Sequence, residues 1–314
     1  MDKLKQNSKI KTTEVLIDSK YFNDKEMTPT DVPMMNVALS GDVDGGFQEG
    51  LTVLAGPSKH FKTSFALMMA SAWLKAKPDA VVIFYDSEFG SPQAYFDQFE
   101  VMIVIDSIGN LASKKELEDA KDEKSVADMS RAKAFKSLFR MVTPYLSMKN
   151  IPMIAVNHTY KEIGLFPKDI VGGGTGITYS ADTVWIVGRQ QDKKGTEIQG
   201  YHFVINVEKS RFVKEKSKIP ITVSWDGGVK HYSGLLDCAL AGGYVTKPSN
   251  GWYAVVDQDT GEVGSKVRHD ATLDESFWNP IFSGTDFKEF LKKQYQIGHR
   301  SVVDMDAIVE AVED

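Results

Sequence analysis

Hydrophobic and polar positions change period several times along the chain, and each change marks an element. Leu51-Thr52-Val53-Leu54-Ala55 is a short apolar run ending at a Gly-Pro turn, which predicts a buried strand. Residues 62–76 (KTSFALMMASAWLKA) follow and predict a helix packed on a sheet. Val81–Tyr85, Val101–Ile105 and Ile151–Val156 are further β-branched runs, the pattern of a parallel sheet covered on both faces. Between the last two, Val126, Met129, Ala132, Phe135, Leu138, Val142 and Tyr145 recur every three or four residues. They predict one helix with a single core-facing stripe, which Pro144 is expected to bend or end. After residue 180, strand-like segments at 183–187, 201–207 and 219–225 are separated by Gly- and Lys-containing turns. The order moves from βαβ units to hairpins, so the predicted class is α/β: a mostly parallel sheet flanked by helices, with antiparallel additions.

Composition narrows the function classes. The chain has 314 residues, 25% charged and 42% hydrophobic, enough for a large core in one large domain with appendages, or two domains. Residues 1–35 are mostly polar and read as an appendage. Cys238 is the single cysteine, which excludes an internal disulfide and suits a reducing compartment. No apolar run approaches membrane-spanning length and no signal peptide opens the chain, so a cytosolic protein without a membrane partner is expected. The six histidines show no metal-ligand spacing. A net charge of −6 argues against DNA, but the charge is uneven. The run from Lys209 to Lys218 holds five basic residues and one acid, and the irregular stretch 107–125 carries Lys114, Lys115, Lys121 and Lys124. Each reads either as a solvated face or as a phosphate contact. Asp304, Asp306, Glu310, Glu313 and Asp314 make an acidic tail, read as a solvated helix end.

The sharpest chemical signal is Gly56-Pro57-Ser58-Lys59-His60-Phe61-Lys62-Thr63-Ser64, between a predicted strand and a predicted helix. That is the context of a phosphate-binding loop, whose N–H groups and helix dipole favour an anion. Lys62 is placed to reach the β- and γ-phosphates, and Thr63 to hold Mg²⁺. Phe61 stands where the pattern has glycine, which is tolerable if φ is negative or the ring points away from the phosphate. Two strands end in acids, at Asp86-Ser87-Glu88 and at Asp106. Ligands of open parallel sheets sit at such C-terminal edges, so Lys62, Glu88 and Asp106 are expected to converge there, Glu88 as general base. The 154–158 strand ends in Asn157-His158, suited to sensing the γ-phosphate, and residues 159–178 hold the cluster Gly172-Gly173-Gly174-Thr175-Gly176. Loops of that length are usually functional.

The run 34–50 (MMNVALSGDVDGGFQEG), GPSKHFKTS, FYDSEFG (84–90), IDSIGNLASKKE (105–116) and NHTY…GGGTG (157–176) resemble the T4-type phage recombinases, the UvsX family of RecA-like strand-exchange ATPases. The resemblance runs over nearly the whole chain and includes the Phe before Lys62. It implies a RecA-like core over 36–232, an N-terminal part (1–35) that docks on a neighbouring protomer, and a C-terminal subdomain (233–314) with the acidic tail. It implies ATP and Mg²⁺ as cofactors, and helical filaments of the protein on single-stranded DNA that pair with double-stranded DNA. Phage single-strand-binding and mediator proteins would be partners, in the bacterial host cytoplasm. By position, residues 56–64 bind phosphate, Asp106 supports Mg²⁺ with Thr63, Glu88 activates water, His158 senses the γ-phosphate and Tyr95 stacks on adenine. Loop 107–125, with Lys114 and Lys115, resembles the first DNA loop. Loop 159–176, with Phe166, Lys168, Gly172, Gly173 and Gly174, resembles the second. Lys209 and Arg211 resemble residues that reach a neighbour's ATP. The family carries a longer segment between the Glu88 and Asp106 strands, where this chain has only residues 87–100. Two other readings follow: a shortened relative that binds DNA or filaments but hydrolyses ATP weakly, and a hexameric RecA-core DNA motor.

Overall fold

The computed structural model describes residues 26–87, 102–111, 130–162, 167–194, 197–225 and 228–298. Glu88, Tyr95, Lys114, Lys115, Val126, Met129, Phe166 and the acidic tail lie outside the described residues.

The elements follow the periodicity closely. Helix α1 (Pro33–Ser40) precedes β1 (Gly50–Ala55), α2 (Lys62–Ala76), β2 (Ile83–Asp86), β3 (Ile103–Asp106), α3 (Ser130–Met148) and β4 (Pro152–Asn157). A hairpin of β5 (Thr159–Lys161) and β6 (Asp169–Val171) leads to the short α4 (Thr175–Ser180). Long strands β7 (Thr183–Lys194), β8 (Glu197–Lys209) and β9 (Lys218–Ser224), with β10 (Gly228–Val229), come next. Helix α5 (Leu235–Gly242), the three-stranded sheet β11 (Val245–Ser249), β12 (Trp252–Val255) and β13 (Val267–Arg268), then α6 (Glu275–Gly284) and α7 (Phe287–Tyr295) complete the described chain.

The main sheet has the order β10-β9-β8-β7-β1-β4-β3-β2. Strands β2, β3, β4, β1 and β7 are parallel, and β8, β9 and β10 extend the sheet antiparallel. The two strands without alternation, β1 and β4, are buried at every position, as two covered faces require. One face packs Phe65, Met69 and Ala70 of α2 with Met34 and Met35 of α1 and Trp278, Phe287 and Leu291 of the C-terminal helices. The other packs Leu51 and Val53 against Phe135, Phe139 and Leu146 of α3 and Ile177 of α4. Met34 and Met35, at the end of the 1–35 stretch, are fully buried in the first of these cores, and Trp185 Nε1 donates to Ala38 O at 3.1 Å.

Helix α3 runs past the proline expected to bend or end it, and buries a narrower strip than expected. Pro144 lies inside the helix, which continues to Met148. Its missing N–H strands the carbonyl of Arg140, an exposed residue, so water can satisfy what the proline removes. The core-facing line is Phe135, Phe139, Val142 and Leu146, a strip that excludes two residues of the expected stripe, Leu138 and Tyr145, 44% and 62% exposed. The spacing Leu138, Met141, Tyr145, Met148 forms a second ridge beside the core line, and all four are exposed. On the edge strand and just before it, Val81, Ile83 and Tyr85 are exposed too.

In the C-terminal part, Tyr244 donates its hydroxyl to Asp286 Oδ1 at 2.7 Å. Burial, helped by that carboxylate, pushes the phenol up to about 12 from 10.0. Between those values the unfolded chain loses the proton and the folded chain keeps it. The stabilisation is therefore complete below pH 10 and is lost as pH rises toward 12. Melting curves of Tyr244→Phe should lie below wild type at pH 8, with the gap closing between pH 10 and 12.

Candidate functional site

The phosphate loop starts where β1 ends. An added Cβ at Gly56 would come 2.8 Å from Val187 O of β7, so only glycine lets the chain leave the sheet there. Two non-glycine residues in the loop are left-handed, Lys59 (φ 61°) and Phe61 (φ 60°). Phe61 caps α2 in this conformation. It therefore meets the second of the two conditions set by the sequence: φ is positive, and the ring is turned into the core. It stacks on Phe203 (centroids 5.1 Å apart, 22° between planes) and meets Phe65 edge-on at 5.3 Å. A left-handed non-glycine residue costs about 1–2 kcal/mol, and two aromatic contacts of about 0.5–1.5 kcal/mol each offset it.

Lys62 opens α2, is 6% exposed, and donates Nζ to Pro57 O at 2.8 Å. The ammonium is thus held across the mouth of its own loop. Thr63 Oγ1 donates to Asp106 Oδ2 at 2.5 Å, and Asp106 is 2% exposed at the end of β3. A hydroxyl and a carboxylate at a helix N-terminus are hard oxygen donors of the kind Mg²⁺ takes, so this pair fits the ion. Ser64 sits in the first turn of α2. His60 Nδ1 lies 2.9 Å from Ser58 O. Burial pushes its imidazole below the ordinary value against the Ser58 bond, with the Arg189 and Lys62 charges adding.

The neighbouring strand ends converge on the same edge. Asp86 of β2 is in register with Asp106, and Ser87 Oγ donates to Ser107 O and accepts from Ser107 N, both at 2.8 Å. Asn157 at the end of β4 is 1% exposed. Its amide donates to Gly172 O at 2.7 Å while its Oδ1 accepts from His158 N at 2.8 Å. Gly172 N donates to His158 O at 2.9 Å. A Cβ on Gly109, in the 3-10 turn Ile108–Asn110 after β3, would come 2.9 Å from His158 Cδ2. His158 therefore touches the start of the first loop and the glycine cluster of the second. Gly173 and Gly174 (φ 81° and 83°) turn the chain into α4, and exposed Lys168 lies just before β6.

Lys209 and Arg211 are engaged within the chain. Lys209 Nζ donates to the carbonyls of Thr178, Tyr179 and Ala181 at 2.9, 3.0 and 2.6 Å, a cation on the C-terminal end of α4. Burial pushes its pKa down, and the Asp182 charge opposes that. Arg211 pairs with Asp182 Oδ1 at 2.6 Å, and Asp182 Oδ2 accepts from Leu51 N at 3.0 Å. Lys214, in the same basic run, donates to the carbonyls of Lys293 and Gln294 at 2.6 and 3.0 Å, closing the end of α7. Asp182 carried no motif signal in the sequence. Asn157 had one, since a polar residue ends a wholly apolar strand.

A parallel sheet with a phosphate loop after its central strand, a buried acid on the next strand but one and two loops at the same edge defines a RecA-like nucleotide-binding core. The comparisons make it specific. The chain is 49% identical over 342 residues to the recombination and repair protein of Enterobacteria phage T4, covering 97% of this chain and 87% of the relative. A family model described as the C-terminal domain of that bacteriophage T4 protein matches residues 232–291. RecA proteins are more distant: that of Bacteroides thetaiotaomicron is 24% identical over 76% of this chain and 80% of its own length. That of Nocardioides sp. is 23% identical over 90% of this chain and 85% of its own length. The chain belongs to the family of the phage T4 recombination and repair protein, the UvsX branch of the RecA-like recombinases. The aligned 342 residues exceed the 314 of this chain, so at least 28 aligned positions are occupied only in the T4 protein.

Because Lys214 closes a helix end, Lys214→Ala should lower stability by about 0.5–1 kcal/mol. The salt dependence of single-stranded DNA binding should be unchanged, which a fluorescence titration at several salt concentrations checks.

Proposed function

We propose that this chain is an ATP-dependent recombinase that assembles as a helical filament on single-stranded DNA and pairs it with homologous double-stranded DNA. The observation that carries the reading is His158. It stands at the end of β4 beside the phosphate loop and contacts the first turn of one DNA loop and the glycine cluster of the other.

ATP lies with its phosphates on residues 56–64. Lys62 leaves Pro57 O for the β- and γ-phosphate oxygens, and N–H groups at the start of α2 face the same charge. Thr63 and Asp106 would hold Mg²⁺, which when bound supplies positive charge against the phosphates. Glu88, by its position in the family pattern, orients and deprotonates the attacking water, and Tyr95 covers adenine. His158 takes the γ-phosphate contact and passes its presence to both loops. Lys114, Lys115, Phe166, Lys168 and Gly172–Gly174 meet the DNA. Lys209 and Arg211 serve a neighbouring protomer's ATP by leaving the Thr178–Ala181 carbonyls and Asp182, so assembly exchanges internal contacts for external ones. A head-to-tail contact of that kind leaves an open helix. Of residues 1–35, those ahead of the stretch that this chain buries from Thr28 onward dock on the adjacent protomer, and residues 233–314 form the C-terminal subdomain. Among the described residues no helix is long and apolar enough to cross a membrane. Action in the host cytoplasm with phage single-strand-binding and mediator proteins completes the reading. The uncovered Ile83, Tyr85, Leu138 and Tyr145 support a second reading, that of a filament-binding relative with weak hydrolysis.

ATP turnover should rise at least about tenfold with single-stranded DNA, and Lys62→Ala should lower kcat/KM at least about a hundredfold. Turnover indifferent to DNA, or to Lys62, overturns the proposal. Turnover that is DNA-stimulated but very slow selects the second reading.

A further inference from the structure

The phosphate loop is held from outside by groups that belong to no nucleotide motif. Arg189, on the stretch of β7 that runs beyond the end of β1, donates Nη1 to Lys59 O at 3.2 Å. Lys59 is one of the two left-handed residues of the loop. The same guanidinium lies over the Tyr201 ring, 4.8 Å from its centroid. Tyr201 in turn contacts Phe203 (5.9 Å), and Phe203 stacks on Phe61, the other left-handed residue. Trp225, 63% exposed, stands edge-on to the far side of Tyr201 at 6.3 Å. Arg189, Tyr201 and Phe203 come from adjacent strands whose register fixes their spacing: Arg189 is paired with Phe203 and Gln191 with Tyr201. The two loop residues whose backbone is strained are thus the two that this array grips, one through its carbonyl and one through its ring.

We propose that Arg189 and Phe203 are positioning residues for the phosphate loop, a brace that holds its N–H groups in the anion-binding arrangement from which the left-handed Lys59 and Phe61 backbone would otherwise relax. This rests on the reading of residues 56–64 as the ATP site. The brace touches no phosphate. Its effect is to lower the cost of ordering the loop when nucleotide binds, so it acts on affinity and spares the chemical step. A guanidinium both stacks and donates in one plane, which an ammonium cannot do, so lysine replaces arginine here only in part.

The test is binding of a fluorescent ADP with Mg²⁺, without DNA, followed by ATPase kinetics at saturating single-stranded DNA. Arg189→Ala, at an exposed position, should weaken ADP binding and raise KM for ATP about five- to tenfold, with kcat within twofold and the melting temperature unchanged. Arg189→Lys should fall between. Phe203→Leu should raise KM similarly, and combining it with Phe61→Gly should add little, because both remove one contact. Unchanged ADP affinity in folded Arg189→Ala and Phe203→Leu overturns the brace. Lys62→Ala run in parallel separates the two failures: if it too leaves ADP affinity and turnover intact, the ATP site itself is misassigned.

Discussion

Parallel pairing of β1 with β4 on one side and β7 on the other fixes where every functional side chain can stand. Ala55 is paired with Asn157 and with Ile186, so the phosphate loop, the Asn157-His158 corner and the overhanging part of β7 leave the sheet at one level. Asp106, one strand further out beyond β4, reaches back to Thr63. The ladder is buried on both faces, so a register slip would expose a whole row of apolar side chains. The edge that carries the chemistry inherits its precision from this core.

That edge also brings two loops to one corner. The turn after β3 and the glycine cluster before α4 are far apart in sequence, yet both rest against His158. Lys209 then holds the carbonyl end of α4 from β8, and β8 also carries Phe203 against the phosphate loop. One strand thus contacts the phosphate loop through Phe203 and the end of α4 through Lys209.

Much of this is legible in the sequence where local pattern and burial agree. The helix over 62–76 appears with its expected bounds, because a strand, a glycine turn and a lysine-led apolar helix leave one arrangement. Of the expected trio Lys62, Glu88 and Asp106, Asp106 reaches the start of α2 through Thr63, and Glu88 lies outside the described residues. What escapes is what local pattern does not encode. The inner line of α3 is chosen by which side meets β1 and not by apolar spacing, since two apolar ridges run along it and only one is buried. Lys214 reads as a DNA contact or a solvated charge because its partners, carbonyls some eighty residues away, leave no trace in composition. Arg189 and Phe203 matter only through their register on β7 and β8.

The central claim is that nucleotide and DNA meet through one sheet edge, and linkage measures it most directly. Affinity for MgATP should be determined with and without saturating single-stranded DNA, and affinity for DNA with and without MgATP. Reciprocity requires the two ratios to be equal, and the account predicts a ratio well above one that falls toward one in His158→Ala. A ratio of one in the wild-type chain, or a ratio indifferent to His158, would contradict it.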